Sequence, residues 1–259
     1  MRVYLCLTEQ HDLSLVALAG LICWFASYTA LSVLRRARAT SGRARASWLA
    51  TAGGAAGGGI WATHFIAMLS YSPGLPVGYD LGLTVLSIVV AMVVAALGFA
   101  AAVSSARPER HSLGGALAGS GISAMHYTGM AAVRVPAVVG YDPWLVVLSL
   151  IFGIALAALA LRTALAHDSL RWRSLGALLL TAGICAMHFT GMGALELTPS
   201  PLVPLPDAAV MSPGTLAFAV AGVAVLLLGI SLAGSIVDQH LANRSARGRV
   251  EPLSQHLEG

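Results

Sequence analysis

Three stretches of the chain are variants of one another: Ala62-Thr63-His64-Phe65-Ile66-Ala67-Met68, Ala124-Met125-His126-Tyr127-Thr128-Gly129-Met130 and Ala186-Met187-His188-Phe189-Thr190-Gly191-Met192. Their histidines stand at 64, 126 and 188, a spacing of 62 residues twice over. A fixed period of that length marks a repeated structural unit. The pairs Tyr79-Asp80 and Tyr141-Asp142 keep the same period, and Asp12 holds the equivalent place, offset by a longer arginine-rich loop.

Outward from these motifs the sequence is apolar. Seven runs of membrane-spanning length follow one another at Leu13–Leu34, Ser47–Leu69, Leu81–Val103, Ser112–Val133, Trp144–Leu165, Ser174–Leu195 and Thr215–Val237. Each holds about 22 residues, enough at about 1.5 Å per residue to cross a hydrocarbon core of about 30 Å. Runs of this kind must be helical, since a lone strand in lipid leaves its backbone groups unpaired. Clustered glycines (Gly53, Gly54, Gly57, Gly58, Gly59 and Gly114, Gly115, Gly119, Gly121) would weaken a helix in water but let helices approach closely in a bilayer. The reading is an all-α, polytopic membrane protein: three repeated two-helix hairpins plus a seventh helix over 1–237, then a short, disordered basic tail over 238–259.

Composition agrees. Of 259 residues, 57% are hydrophobic and only 10% charged, with a mean hydropathy of +0.80. Soluble domains carry about 25% charged residues, so an ordinary soluble globule is excluded; a disordered chain needs the opposite bias. All 15 basic residues are arginines. They sit between the apolar runs, a topological pattern and not a nucleic-acid-binding one. Arg35, Arg36, Arg38, Arg43, Arg45, Arg107, Arg110, Arg162, Arg171, Arg173, Arg244, Arg247 and Arg249 fall on one side, and only Arg2 and Arg134 on the other. Positive charge collects in cytoplasmic loops, which places the N-terminus outside, the C-terminus in the cytoplasm and the chain in the cell's inner membrane. Met1–Asp12 lacks the basic start and cleavage site of a removed signal peptide. The proline-rich outer loops, Tyr71–Tyr79 and Thr198–Pro213, are expected to be irregular caps. Cys6, Cys23 and Cys185 are odd in number and far apart, so no disulfide framework is indicated.

Hairpin units run parallel to one another, so the three motifs share one depth near the outer face. His64, His126 and His188 are the strongly polar ionisable groups inside the spans, where such groups face the bundle interior and find partners. Met68, Met130 and Met192 follow at i+4 on the histidine's face, and Met125 and Met187 precede it at i−1. Imidazole with thioether is a set suited to copper, Cu(I) above all. The residues alone also admit a bland reading, in which the histidines are hydrogen-bonded packing groups and the methionines fill gaps. Asp12, Asp80 and Asp142 are expected to be helix N-caps, with a hydrogen bond to an imidazole as their alternative role. Cys185, three residues before His188, is a further candidate ligand.

The array resembles the MHYT-domain family of bacterial integral membrane sensors: Met125-His126-Tyr127-Thr128 matches the motif letter for letter, and Met187-His188-Phe189-Thr190 differs once. The resemblance covers all seven spans. It implies a seven-helix sensory domain that binds copper through His64, Met68, Met125, His126, Met130, Met187, His188 and Met192 and thereby detects O2, CO or NO. It also makes Pro73, Pro136 and Pro199 helix terminators. The first motif departs from the pattern, with Thr63 before the histidine and no Tyr-Thr-Gly after it. Family members often carry a cytoplasmic enzymatic or DNA-binding output domain, which Asp238–Gly259 is too short to supply. The expected function is therefore a non-enzymatic sensor that signals to a separate cytoplasmic partner. Competing readings are a zinc-dependent intramembrane hydrolase resembling seven-helix ceramidases, which needs a carboxylate near the metal, and a haem or electron-transfer protein with two axial histidines. A copper transporter would need a polar or Met-lined path to the cytoplasmic side, and the sequence offers none.

Overall fold

A computed structural model describes residues 2–203, 210–230 and 232–233. A short helix α1 (Arg2–Glu9) precedes α2 (Leu13–Arg38), α3 (Gly42–Ser70), α4 (Leu81–Ala102), α5 (Pro108–Ala132), α6 (Pro143–Ala166) and α7 (Leu170–Ala194). A final helix, α8, runs over Pro213–Ile230. A helix thus covers each of the first six apolar runs and the described part of the seventh; the tail 238–259 lies outside the described residues. Helix α1 was not anticipated.

Among the described residues five helices, α2, α4, α6, α7 and α8, are long and apolar enough to cross a membrane. The other two long helices, α3 and α5, have 29 and 25 residues. Their mean polarity is raised by glycines, hydroxyl residues and histidines, and the same residues explain where they sit. Consecutive helices pack side by side from α2 to α7, and α7 closes the ring against α2. Within it α3 and α5 present small residues to helices on both sides. A methyl on Gly57 would fall 2.4 Å from the backbone nitrogen of Met92 in α4, and one on Gly119 2.5 Å from the carbonyl of Gly153 in α6. Such contact of backbone on backbone requires glycine and yields dispersion energy where lipid removes the hydrophobic drive. The outward faces of α4 and α6 expose Val85, Val89, Val93, Val147 and Ile151, a surface made for lipid and not for water. Helix α8 lies outside the ring, with Val223 against Gly58 and Leu227 near Gly59.

Short paired strands flank the proline-rich outer loops. β1 (Gly78–Tyr79) pairs antiparallel with β2 (Val133–Arg134), and β3 (Ala137–Tyr141) with β4 (Leu195–Pro199). These strands are one latch used three times. His11 bridges Tyr71, Tyr79 pairs with Val133, and Tyr141 with Leu195. In each unit the next residue, an aspartate, donates its N–H to the carbonyl that ends a histidine-bearing helix: Asp12 to Ser70 at 3.0 Å, Asp80 to Ala132 at 2.8 Å and Asp142 to Ala194 at 2.9 Å. Within the two proline-rich loops themselves, pairing is confined to Tyr71, Gly78–Tyr79, Thr198–Pro199 and Met211. Their other described residues are irregular as expected, with 204–209 outside the described residues. The strands come mainly from 133–141 and 195–199, whose partners lie some 50 to 60 residues away.

The same aspartates are N-caps, as their positions indicated. Asp12 accepts from the N–H groups of Ser14 and Leu15, Asp80 from Leu83, and Asp142 from Trp144 and Leu145. Each cap satisfies helix N–H groups that would otherwise lack partners.

Candidate metal centre

The histidine-bearing helices α3, α5 and α7 all run toward the latched end, and each histidine lies six residues before its helix ends at Ser70, Ala132 or Ala194. Six residues at about 1.5 Å place the three groups about 9 Å below that end, at one level. The ring closure then points them at one another. His64 Nδ1 stands 3.2 Å from His188 Nδ1 and 3.3 Å from His126 Nδ1. Ring centroids are 5.0, 5.2 and 5.1 Å apart with interplanar angles of 82°, 77° and 85°, so the imidazoles form a three-bladed propeller. All three are buried, and one ring nitrogen from each lies within 4.8 Å of the others.

Two neutral imidazoles can share one proton across an Nδ1–Nδ1 contact, but three converging nitrogens in mutually perpendicular rings compete for it. The three Nε2 atoms are buried without a hydrogen-bond partner among the described residues. The converging Nδ1 atoms, which shared protons cannot all pair, are the nitrogens that a bound cation would satisfy. A cation fits: two nitrogens held at about 2.0 Å in tetrahedral geometry stand about 3.3 Å apart. Beside the propeller is a cavity of about 20 Å3, room for one water-sized species.

Glycine shapes the trio. A methyl on Gly129 would lie 2.6 Å from His64 Nε2, and one on Gly191 2.5 Å from His126 Nε2. The glycine three residues after one histidine therefore leaves the space in which the preceding unit's imidazole sits; Ala67 holds that place in the first unit.

The thioethers divide into two sets. Met125 and Met187 line the histidine cavity together with Thr63, Ala67 and Cys185. Met68 and Met130 line a separate apolar cavity with Tyr71, Val133 and Leu195, all from the latch. Met192 is buried but borders neither cavity. Side chains on a helix lean toward its N-terminus, so an imidazole lies level with residues before it and not with the residue one turn further on. The Cys185 thiol contacts Cys23 as well as the histidine cavity, and all three cysteines are free.

An aromatic collar, overlooked in the sequence, covers the centre. The residue after each histidine meets the latch edge-on: Phe65 with Tyr79 at 5.8 Å, Tyr127 with Tyr141 at 6.2 Å, and Phe189 with His11 at 5.4 Å. His11-Asp12 is thus the third member of the Tyr-Asp series, a match visible in the sequence once Asp12 is aligned. The buried His11 donates from Nδ1 to the Cys6 carbonyl at 2.8 Å, which ties α1 to the collar. Among the described residues no carboxylate joins the trio. Asp80 pairs with Arg134 and Asp142 with Arg2, all at the surface.

With this geometry, the comparisons with known proteins are specific. The MHYT family model, a bacterial signalling protein N-terminal repeat, matches residues 57–116, 119–177 and 182–248. The chain belongs to the MHYT family of bacterial signalling proteins. A signaling protein of Caulobacter vibrioides, itself uncharacterized, is 35% identical over 98% of this chain and 31% of its own length. The bifunctional diguanylate cyclase/cyclic di-GMP phosphodiesterase MucR of Pseudomonas aeruginosa is 37% identical over 93% of this chain and 36% of its own. The cyclic di-GMP phosphodiesterase NbdA of the same organism is 41% identical over 71% of this chain and 24% of its own. The chain therefore spans about a third or less of these relatives. No solved structure matches. The family repeat starts inside a histidine-bearing helix and so groups α3 with α4, whereas the tighter packing is within α2–α3, α4–α5 and α6–α7. The third repeat runs from α7 into α8, outside the ring that α7 closes against α2.

Proposed function

We propose that this chain is the sensory membrane domain of a signalling system, with a copper ion held by His64, His126 and His188 near the outer face. The convergence of three buried imidazoles, two of whose Nδ1–Nδ1 separations are 3.2 and 3.3 Å, carries the reading. Met125, Met187 and Cys185 border the same cavity and supply soft donors, which favours copper over zinc. Met68, Met130 and Met192 serve the surrounding packing. The absence of a carboxylate from the trio among the described residues speaks against a hydrolytic zinc site. A cavity of about 20 Å3 has no room for a porphyrin between the rings.

Copper there would supply an open coordination position for O2, CO or NO, or the sensed signal would be the metal itself. The chain's own residues do the rest. The collar excludes bulk water, Gly129 and Gly191 fix two imidazoles, and any shift of a histidine moves its helix within a ring closed at α2–α7. In this reading α3 and α5 cross the inner membrane with the five more apolar helices, seven spans in all. The arginine-rich ends of the hairpins face the cytoplasm and the collar faces out. Signal passes to a cytoplasmic partner; the names of MucR and NbdA point to cyclic di-GMP turnover as its activity. The test is metal analysis of the purified protein and of a His64→Ala/His126→Ala/His188→Ala variant. The wild type should retain about one copper per chain and the variant none; equal content would remove the proposal.

A further inference from the structure

At the end of the bundle opposite the collar, a cavity of about 580 Å3 opens between the end of α2 and the α6–α7 turn. Its lining includes Arg35, Arg36, Arg38, Arg173, His167 and Asp168, four guanidinium groups against one carboxylate. Topology alone does not ask for this arrangement. Arg43, Arg107, Arg110 and Arg171 lie exposed, where water screens them, and already mark the side. Arg35, Arg36 and Arg173 are instead half-buried within one concavity. Like charges gathered at low exposure repel more strongly than charges in bulk water.

The guanidinium groups are also held in place. Arg36 lies over the Trp48 ring at 5.1 Å and Arg173 over Tyr28 at 4.9 Å. Arg38 donates to the Leu165 carbonyl at 3.0 Å. Arg35 pairs with Asp168, whose side chain is 86% exposed and free to swing away. Fixed planar forks around an open hollow are the arrangement that binds phosphate oxygens in pairs.

We infer that this hollow is a binding site for a phosphate group, carried either by an anionic phospholipid of the adjoining leaflet or by a soluble phosphate ligand. It sits on the α2–α7 seam that closes the ring, so an occupant bridging Arg35 and Arg173 ties the seam shut and raises stability. The site stands apart from the metal centre and does not depend on it.

The experiment uses the full chain in neutral detergent and follows the melting midpoint on adding phosphatidylglycerol, phosphatidylcholine or inorganic phosphate. An upward shift with phosphatidylglycerol but not phosphatidylcholine supports the site and assigns a lipid source. A shift with inorganic phosphate alone supports it with a soluble source. Arg35→Gln/Arg173→Gln should weaken the response at least about tenfold, since both charge-assisted contacts to the phosphate are lost. Arg107→Gln/Arg110→Gln, in another loop, should respond as wild type. Should the glutamine variant fail to fold, Arg35→Lys/Arg173→Lys keeps the charge but loses the fork, and an intermediate response is expected. No shift with any phosphate, an unchanged response in the variants at Arg35 and Arg173, or an equal loss in the Arg107/Arg110 variant would overturn the inference.

Discussion

His64 rests against bare backbone: its Nε2 atom lies 2.6 Å from where a methyl on Gly129 would be. Residues 65 positions apart, in adjacent units of the repeat, thus fix one another, and Gly191 does the same for His126 at 2.5 Å. Gly129→Ala should tilt the His64 ring out of the propeller and weaken metal binding about tenfold to a hundredfold, as loss of a ligand's support does elsewhere. Gly54, with nothing within 4 Å, is the matched control. Gly54→Ala should leave affinity unchanged and raise helix stability by up to about 1 kcal/mol. Chelator competition on both variants reads the difference, and equal affinities would separate the glycine from the site.

The capping aspartates give a pH dependence with a definite sign. Hydrogen bonds from the hydroxyl and N–H of Ser14 hold the Asp12 carboxyl below its ordinary range, and the N–H of Leu83 does so for Asp80, with Arg134 adding to it. A carboxylate whose folded pKa is depressed contributes stability above its unfolded value, about 4, and loses it as pH falls through the folded one. The melting midpoint should therefore drop between about pH 4 and lower values. Asp12→Asn/Asp80→Asn, which keeps capping but cannot titrate, should drop less. Parallel curves would show that the caps do not titrate with folding.

His11 stands where the other units have Tyr79 and Tyr141, and its removal should separate collar from centre. His11→Tyr restores the repeat's residue and should keep the fold and the metal. His11→Ala removes the ring that meets Phe189 at 5.4 Å and the hydrogen bond to Cys6, and should lower stability by about 1–3 kcal/mol. Melting curves with metal content decide it. Loss of metal in the tyrosine variant would make His11 part of the site itself.

Much of this was legible in the sequence because the decisive signals are periodic. The apolar runs dictated helices, and the 62-residue spacing of His64, His126 and His188 placed the histidines at one depth before any coordinates. The caps at Asp12, Asp80 and Asp142 followed from their position alone. What stayed hidden depends on contacts between units. The latch strands pair segments with no local β signature, and Gly129 reads as a motif letter until the His64 ring is seen against it. The split of the methionines was hidden for another reason. Spacing gives the face of a helix, but the lean of the side chain toward the N-terminus sets its level, and that brings Met125 and Met187 to the cavity instead of Met68 and Met130.

X-ray absorption at the copper edge of the loaded, purified chain addresses the centre itself. Three imidazole nitrogens at about 2.0 Å are expected, with the imidazole contribution lost in the triple alanine variant. A spectrum with one imidazole or none, or one that the triple variant leaves unchanged, would contradict a shared ion among His64, His126 and His188.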